Sequence, residues 1–215
     1  MSIDLRGIGA IILAAGASKR MGFPKQLIEI CGEPMIRVVV SKIHGLGFGE
    51  VVLVLGHSAR EILDALGSYL ERLRIVFNDR YMEGIATSLI AGVKALEGRV
   101  EAFIVILSDQ PFVRPSTILN IAKAYREARD RGADPVMVIP TYSGARGNPV
   151  LISSEIIPEI LELSGDVGAR ILIERHKDNV LYVDTSDPGV VIDIDTIEDL
   201  DRARREGTRA RGYRC

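Results

Sequence analysis

The chain has 215 residues, 47% hydrophobic and 26% charged, an ordinary globular balance that excludes a disordered chain, a collagen and a coiled coil. Aromatics make up 5%, tryptophan is absent and the net charge is −2, so a nucleic-acid surface of stacked rings or basic patches is not expected. Cys31 and Cys215 are too few for a disulfide framework and lack zinc spacing; both are expected as reduced thiols in a cytoplasmic protein. Residues 1–7 carry Asp4 and Arg6 and no apolar core of signal-peptide length, and no apolar run approaches the ~20 residues that span a bilayer.

Apolar runs of strand length alternate with longer amphipathic stretches. Residues 8–13 read as a buried strand that opens into a loop of small and basic residues. Residues 34–46 read as a helix with Pro34 in its first turn. A strand over 50–55 follows. Ser58 then stands as the cap of a helix carrying Ile62, Leu63 and Leu66, with Glu61 completing a capping box. A short strand over 74–77, a helix over 85–96, a strand over 102–107 and a helix over 115–129 continue the rhythm. Near Pro135 it changes: 136–140 and 149–152 read as strands joined by a hairpin-like insertion. Helices over 155–163, 167–175 and 196–205 complete the chain.

This alternation implies a Rossmann-like three-layer α/β/α fold with a mostly parallel, mixed sheet. Residues 1–205 are expected to form a single domain and 206–215 a basic C-terminal tail. The stretch 202–214 holds six arginines and one acid, read as a solvated helix face and a frayed end. In such sheets ligands sit beyond the carboxyl ends of the strands, so the loops after Leu13, Leu55, Phe77 and Leu107 should gather on one edge.

The first of these loops runs Leu13-Ala-Ala-Gly-Ala-Ser-Lys-Arg-Met-Gly-Phe-Pro-Lys25. Ala14, Ala15, Gly16 and Ala17 allow a ligand close to the backbone, where N–H groups can face phosphate oxygens. Arg20 adds a planar cation and Lys25 a point charge, which together suit a triphosphate. Asp109 stands just past an uncharged strand, placed to hold Mg²⁺ against phosphates. Asp193 and Asp195 alternate along an expected strand and so face one side. For each of them metal binding and helix capping by the Asp195–Thr196–Asp199 stretch stand level. There is no Gly-Lys dipeptide for a P-loop, no dinucleotide fingerprint, no nucleophile elbow and no His-Glu-x-x-His. His44, His57 and His176 are scattered.

From Ile11 to Arg204 these residues resemble the MobA-like nucleotidyltransferases, and most closely the molybdenum cofactor cytidylyltransferase branch. The opening signature from Leu13 to Lys25 is complete, followed by Gln26-Leu27. Gly56-His57-Ser58-Ala59, the Asn78 to Leu89 stretch with Glu83, Gly84 and Ser88, Asp109-Gln110-Pro111, 165–170 and 193–196 complete the set. The resemblance implies a nucleotide-diphospho-sugar transferase type of fold and transfer of CMP from CTP to molybdopterin, with Mg²⁺. Leu13, Ala14, Ala15 and Gly16 are implied to contact the nucleotide, with Asn78 and Ser88 lining its pocket. Arg20 and Lys25 are implied on the triphosphate, and Asp109 on the metal together with Asp193 or Asp195. Asn148, Asp166 and Arg170 are implied on the acceptor side. The double alanine is the form similar to CTP users; guanylyl-transferring relatives carry Ala-Gly-Gly-like loops. Two departures stand out: Arg146-Gly-Asn-Pro149 where relatives show Gly-His-Pro, and Ser58 where they show Arg. Implied partners are CTP, molybdopterin and a molybdoenzyme or its chaperone, with no nucleic acid and no membrane. Another phosphate acceptor, such as a sugar or polyol phosphate, GTP as donor, and a carrier without turnover are the competing expectations.

Overall fold

The computed structural model describes residues 3–18, 21–167, 170–196 and 198–202. Its strands are β1 (Ile8–Ala14), β2 (Glu29–Ile30), β3 (Glu33–Pro34), β4 (Glu50–Leu55), β5 (Arg74–Phe77), β6 (Ala102–Leu107), β7 (Met137–Tyr142), β8 (Ala145–Arg146), β9 (Val150–Ser153) and β10 (Val180–Asp184). Its helices are α1 (Met35–His44), α2 (Ala59–Leu66), α3 (Ile85–Leu96), α4 (Pro115–Asp130), α5 (Ile157–Leu161) and α6 (Arg170–Arg175). The main sheet runs β10-β7-β9-β6-β1-β4-β5, with β8 paired to β7. On that path β9 alone runs against its neighbours, which gives the mixed, mostly parallel sheet.

Side-chain alternation along the central strands builds the three layers. Ile8, Ala10, Ile12, Leu53 and Leu55 face one way, onto Ile36 and Val39 of α1, Ile62 of α2 and Ile118 and Tyr125 of α4. Ile11, Leu13, Val52 and Val54 face the other, onto Leu89 and Val93 of α3, Ile160 of α5 and Leu172 of α6. The strands end level: Leu13 lies opposite Leu107, and Ala14 opposite Leu55, which in turn lies opposite Phe77. Their following loops therefore share one edge, as expected.

Local differences have physical causes. Ser58 does not cap α2 with its side chain; it sits in the left-handed region at φ 52°, unlike the extended backbone of a capping residue. The stretch 192–195 joins no sheet; a short 3₁₀ turn, Pro188–Val191, precedes it. Its alternation instead seats Ile194 in a small core with Ile30, Met35, Phe112 and Leu200. The last expected helix is described over 198–202, the remainder to 205 lying outside the described residues. β10 was not expected from the pattern at all. Cys31 is disulfide-bonded, against the expectation of a reduced thiol; the other cysteine, Cys215, lies outside the described residues. No helix among the described residues is long and apolar enough to cross a membrane.

Candidate active site

The chain leaves β1 and returns to the sheet edge in a 3₁₀ turn, Lys25–Leu27. Two anchors fix this turn beside the first loop. The Ser18 hydroxyl accepts a hydrogen bond from the Lys25 backbone N–H at 3.0 Å. The buried Gln26 amide donates to the carbonyls of Ala14 and Gly16 at 3.4 and 3.3 Å. A buried amide that lacked such partners would be costly, so this contact ties the turn to the loop.

From that anchored backbone the Lys25 ammonium reaches across 84 residues of sequence to Asp109 Oδ2 at 2.5 Å and to Asp195 Oδ1 at 2.7 Å. Asp109 follows β6. Its loop is held by the Ser108 N–H on Leu13 O at 3.2 Å and by the Ile194 N–H on Asp109 O at 2.9 Å. The second bond, together with the small core around Ile194, brings Asp195 to the same point. Helix capping there is done by other groups: the Asp199 carboxylate accepts from Thr196 N at 2.9 Å and Thr196 Oγ1 accepts from Asp199 N at 3.1 Å. Burial alone works to lower the Lys25 pKa, but the charges and hydrogen bonds of Asp109 and Asp195 outweigh it and hold the amine above its usual range. Asp193 turns instead to Gln110, whose Nε2 donates to it at 2.5 Å. Desolvation raises its carboxyl above the usual range; the Gln110 hydrogen bond opposes this and the nearby charges of Asp109 and Asp195 add to it.

Lys25 and Asp109 open into one cavity of about 340 Å³, whose walls also include Leu13, Ala15, Gly16 and Ser88. That volume lies in the range of small-molecule sites. Asp166 also lines it and accepts from the Ile85 N–H at the start of α3, at 3.3 Å. There Gly84 adopts φ 115°, and a Cβ on it would meet the Gly165 carbonyl carbon at 2.3 Å, so this wall needs glycine. Asn78 is buried behind the cavity and donates to Ser88 Oγ and Thr87 Oγ1, both at 2.9 Å, so it braces a wall residue. Ala14 lies beneath the loop, its carbonyl on Gln26. Asn148 is tied by its N–H to Val190 O at 2.8 Å, and Arg170 opens α6 on the surface; neither is among the described residues of the cavity wall. Arg20 lies outside the described residues. Gln26, Ser18, Tyr81 and Met82 belong to the site or its supports without having been singled out. A larger hollow of about 540 Å³ at the opposite sheet edge includes His44, Glu50 and Arg74. Its charges pair off, Glu50 with Arg74 at 3.4 Å and with Arg99 at 3.6 Å, and do not converge.

A divalent cation suits the carboxyl edge on two grounds. Asp109 Oδ1 is buried with no hydrogen-bond partner among the described residues, an oxygen with capacity to spare. Asp195 supplies a second hard oxygen beside it. Among the described residues no three His, Cys, Asp or Glu side chains form a ready-made cage.

The model of the MobA-like NTP transferase domain matches residues 10–180. Nicotine blue oxidoreductase of Paenarthrobacter nicotinovorans is 31% identical over 201 residues, covering 93% of this chain and 97% of that one. A nucleotidyl transferase from Methanothermobacter (Mth528) superposes with a TM-score of 0.77 at 25% identity, covering 94% of this chain and 98% of that one. Rv0371C of Mycobacterium tuberculosis H37Rv, in a structure complexed with manganese, gives 0.70 at 25% identity over 91% and 96% of the two chains.

Proposed function

This chain belongs to the MobA-like NTP transferase family, and from that membership we propose that it transfers CMP from CTP to the terminal phosphate of molybdopterin, releasing pyrophosphate. One observation carries the reading: the Lys25 ammonium, 2.5 Å from Asp109, shares a cavity with the small-residue loop at the carboxyl edge of the sheet. Fixed positive charge beside a loop of small residues suits a triphosphate. Support for CTP comes from Ala15, a residue of the cavity wall at the position where guanylyl-transferring relatives are implied to carry glycine.

An acceptor phosphate oxygen attacks the α-phosphorus in line, and the bond to the bridging oxygen breaks as pyrophosphate leaves. A phosphate monoester has a second pKa near 6, so the nucleophile is already largely ionised at neutral pH and a strong base is dispensable. Lys25 draws in the β- and γ-phosphates and stabilises the charge that gathers on the leaving group. Asp109 and Asp195 would hold Mg²⁺, which would supply charge neutralisation at the phosphates. Gln26 and Ser18 keep Lys25 in register with the loop, and Asn78 keeps Ser88 in the wall. Asp166, in the cavity wall, faces the acceptor in this proposal; Asn148 and Arg170, outside the described wall, join it as further contributors.

The test is incubation with Mg²⁺, each nucleoside triphosphate in turn, and molybdenum-loaded molybdopterin or a sugar or polyol phosphate, with products identified by mass. A CMP adduct of molybdopterin is expected. A GMP adduct, or transfer to another phosphate, would replace the donor or acceptor. Tight CTP binding with no pyrophosphate from any acceptor would favour a carrier.

A further inference from the structure

The ammonium of Lys25 sits between the two carboxylates that suit a divalent cation. Its side chain is 13% exposed, against 21% for Asp109 and 29% for Asp195, so the cluster is largely shielded from water. The attraction within such a pair is less screened than in an exposed one. The oxygens that the amine uses, Asp109 Oδ2 and Asp195 Oδ1, belong to the same carboxylates that a metal needs. Two cations sharing them at contact distance repel one another strongly. Lys25 nevertheless has somewhere else to go. Its backbone is pinned by Ser18 and Gln26, but its flexible four-carbon stem also forms part of the cavity wall. An anionic polyphosphate in that cavity offers the ammonium equivalent partners.

We propose that Lys25 blocks the metal site of the empty protein, so that a divalent cation binds tightly only once a nucleoside triphosphate draws the ammonium away from Asp109 and Asp195. The consequence is an order of events: cation and triphosphate enter together, and the cation alone finds a site already filled by positive charge. Linkage makes the effect mutual, so the cation strengthens triphosphate binding by the same factor. The inference rests on reading Asp109 and Asp195 as the metal carboxylates.

The test is the affinity of the protein for Mn²⁺ alone, measured by electron paramagnetic resonance without nucleotide. Lys25→Met is expected to bind Mn²⁺ at least about 10-fold more tightly than wild type, the scale of removing one unit charge from a shielded site. Lys25→Arg, which keeps the charge, is expected to stay at the wild-type level, and Lys25→Met with Asp109→Asn to lose the gain. Equal affinity in wild type and Lys25→Met overturns the proposal, as does a Lys25→Arg protein that binds as tightly as Lys25→Met. Lysine nitrogen resonance of the wild type reads the same event without a substitution. The Lys25 signal should stay put with Mg²⁺ alone and move with Mg²⁺ and CTP; movement with Mg²⁺ alone overturns the proposal. Product formation by wild type, run in parallel, separates the two ideas. A protein that makes product while Lys25→Met gains no metal loses only the block; one that makes no product loses the assigned reaction whatever its metal affinity.

Discussion

Two half-buried lysines hold the same loop and end in opposite electrostatic states. Lys25 holds Asp109 through a carboxylate and stands above its usual pKa. Lys42, on α1, donates to the carbonyls of Pro111 and of Val113, the latter at 3.0 Å, and burial pushes it down to about 8 despite the pull of Asp187. Both amines suffer desolvation. What separates them is the partner: two full negative charges more than offset the loss of water, while carbonyl dipoles and a more distant carboxylate do not. The first lysine is a permanent cation at a cavity wall, fit to meet phosphates. The second is a strut that shapes the loop behind the cavity. Depth of burial alone therefore does not mark a functional cation here; the charge of its neighbours does.

Removing Lys25 should make the largest difference between the two. Lys25→Ala is expected to lower turnover by about 10²–10³-fold, the usual loss for one electrostatic stabiliser. Lys42→Met should lower it only about 10-fold, since what goes is positioning worth roughly one hydrogen bond. Pyrophosphate release from CTP measures both. A Lys25→Ala enzyme near the wild-type rate would erase the distinction and with it the assignment of the cavity.

Much of this edge could be read before any coordinates. β4, β5, β6 and α3 stand at their expected bounds, because each has an unbroken apolar run or face between clear breaks. Lys25 and Asp109 were recognisable from a loop that follows one buried strand and a carboxylate that ends another. What stayed hidden has identifiable causes. β10 is a half-exposed edge strand that pairs with β7 alone, so its apolar signal is thin. The Asp193-Ile-Asp195 alternation has a strand's period but no strand's ladder; Ile194 sits in a separate small core and one hydrogen bond ties the segment to Asp109. Ser58 has the chemistry of a cap and the wrong backbone angle for one, and φ cannot be read from residue type. Gln26 stood in the matched segment but its role was not readable there, because its partners are backbone carbonyls set by the tertiary fold.

Asp187 tests how far the strut depends on its own surroundings. It is 1% exposed and accepts from Arg114 N at 2.8 Å, Thr117 Oγ1 at 2.7 Å and Gly189 N at 3.0 Å. These bonds tie the start of α4 to the turn that leads towards Asp195. Gly189 is pressed there so closely that a Cβ would meet Phe112 O at 2.3 Å. Asp187→Ala leaves buried donors unmet and should lower stability by about 3 kcal/mol, roughly 6–12 °C in melting temperature for a chain of this size. It also takes away the negative charge that favours protonated Lys42. A melting temperature equal to wild type would mean that the turn is held by its packing alone.

The smallest effect is the most specific, because it isolates the state of Lys42. A lysine whose folded pKa is about 8 and whose ordinary value is 10.5 binds its proton more weakly in the fold than in the unfolded chain. Below pH 8 both states carry the proton, and the fold bears the full cost of burying it. As pH rises from 8 towards 10.5 the folded amine gives up its proton while the unfolded one keeps it, so the contribution of Lys42 to stability rises through that window and then levels. Wild type should therefore gain on Lys42→Met by roughly 2–3 kcal/mol between pH 7 and pH 10.5, read from denaturant midpoints of the two proteins side by side. Lys25 is held above its ordinary pKa, so its contribution is complete below about pH 10.5 and fades only beyond it. It is common to both proteins and cancels in the difference. A gap that stays flat with pH would show that the carbonyls of Pro111 and Val113 hold a full ammonium as well as carboxylates do, and the contrast between the two lysines would then lie in their reach into the cavity and not in their charge.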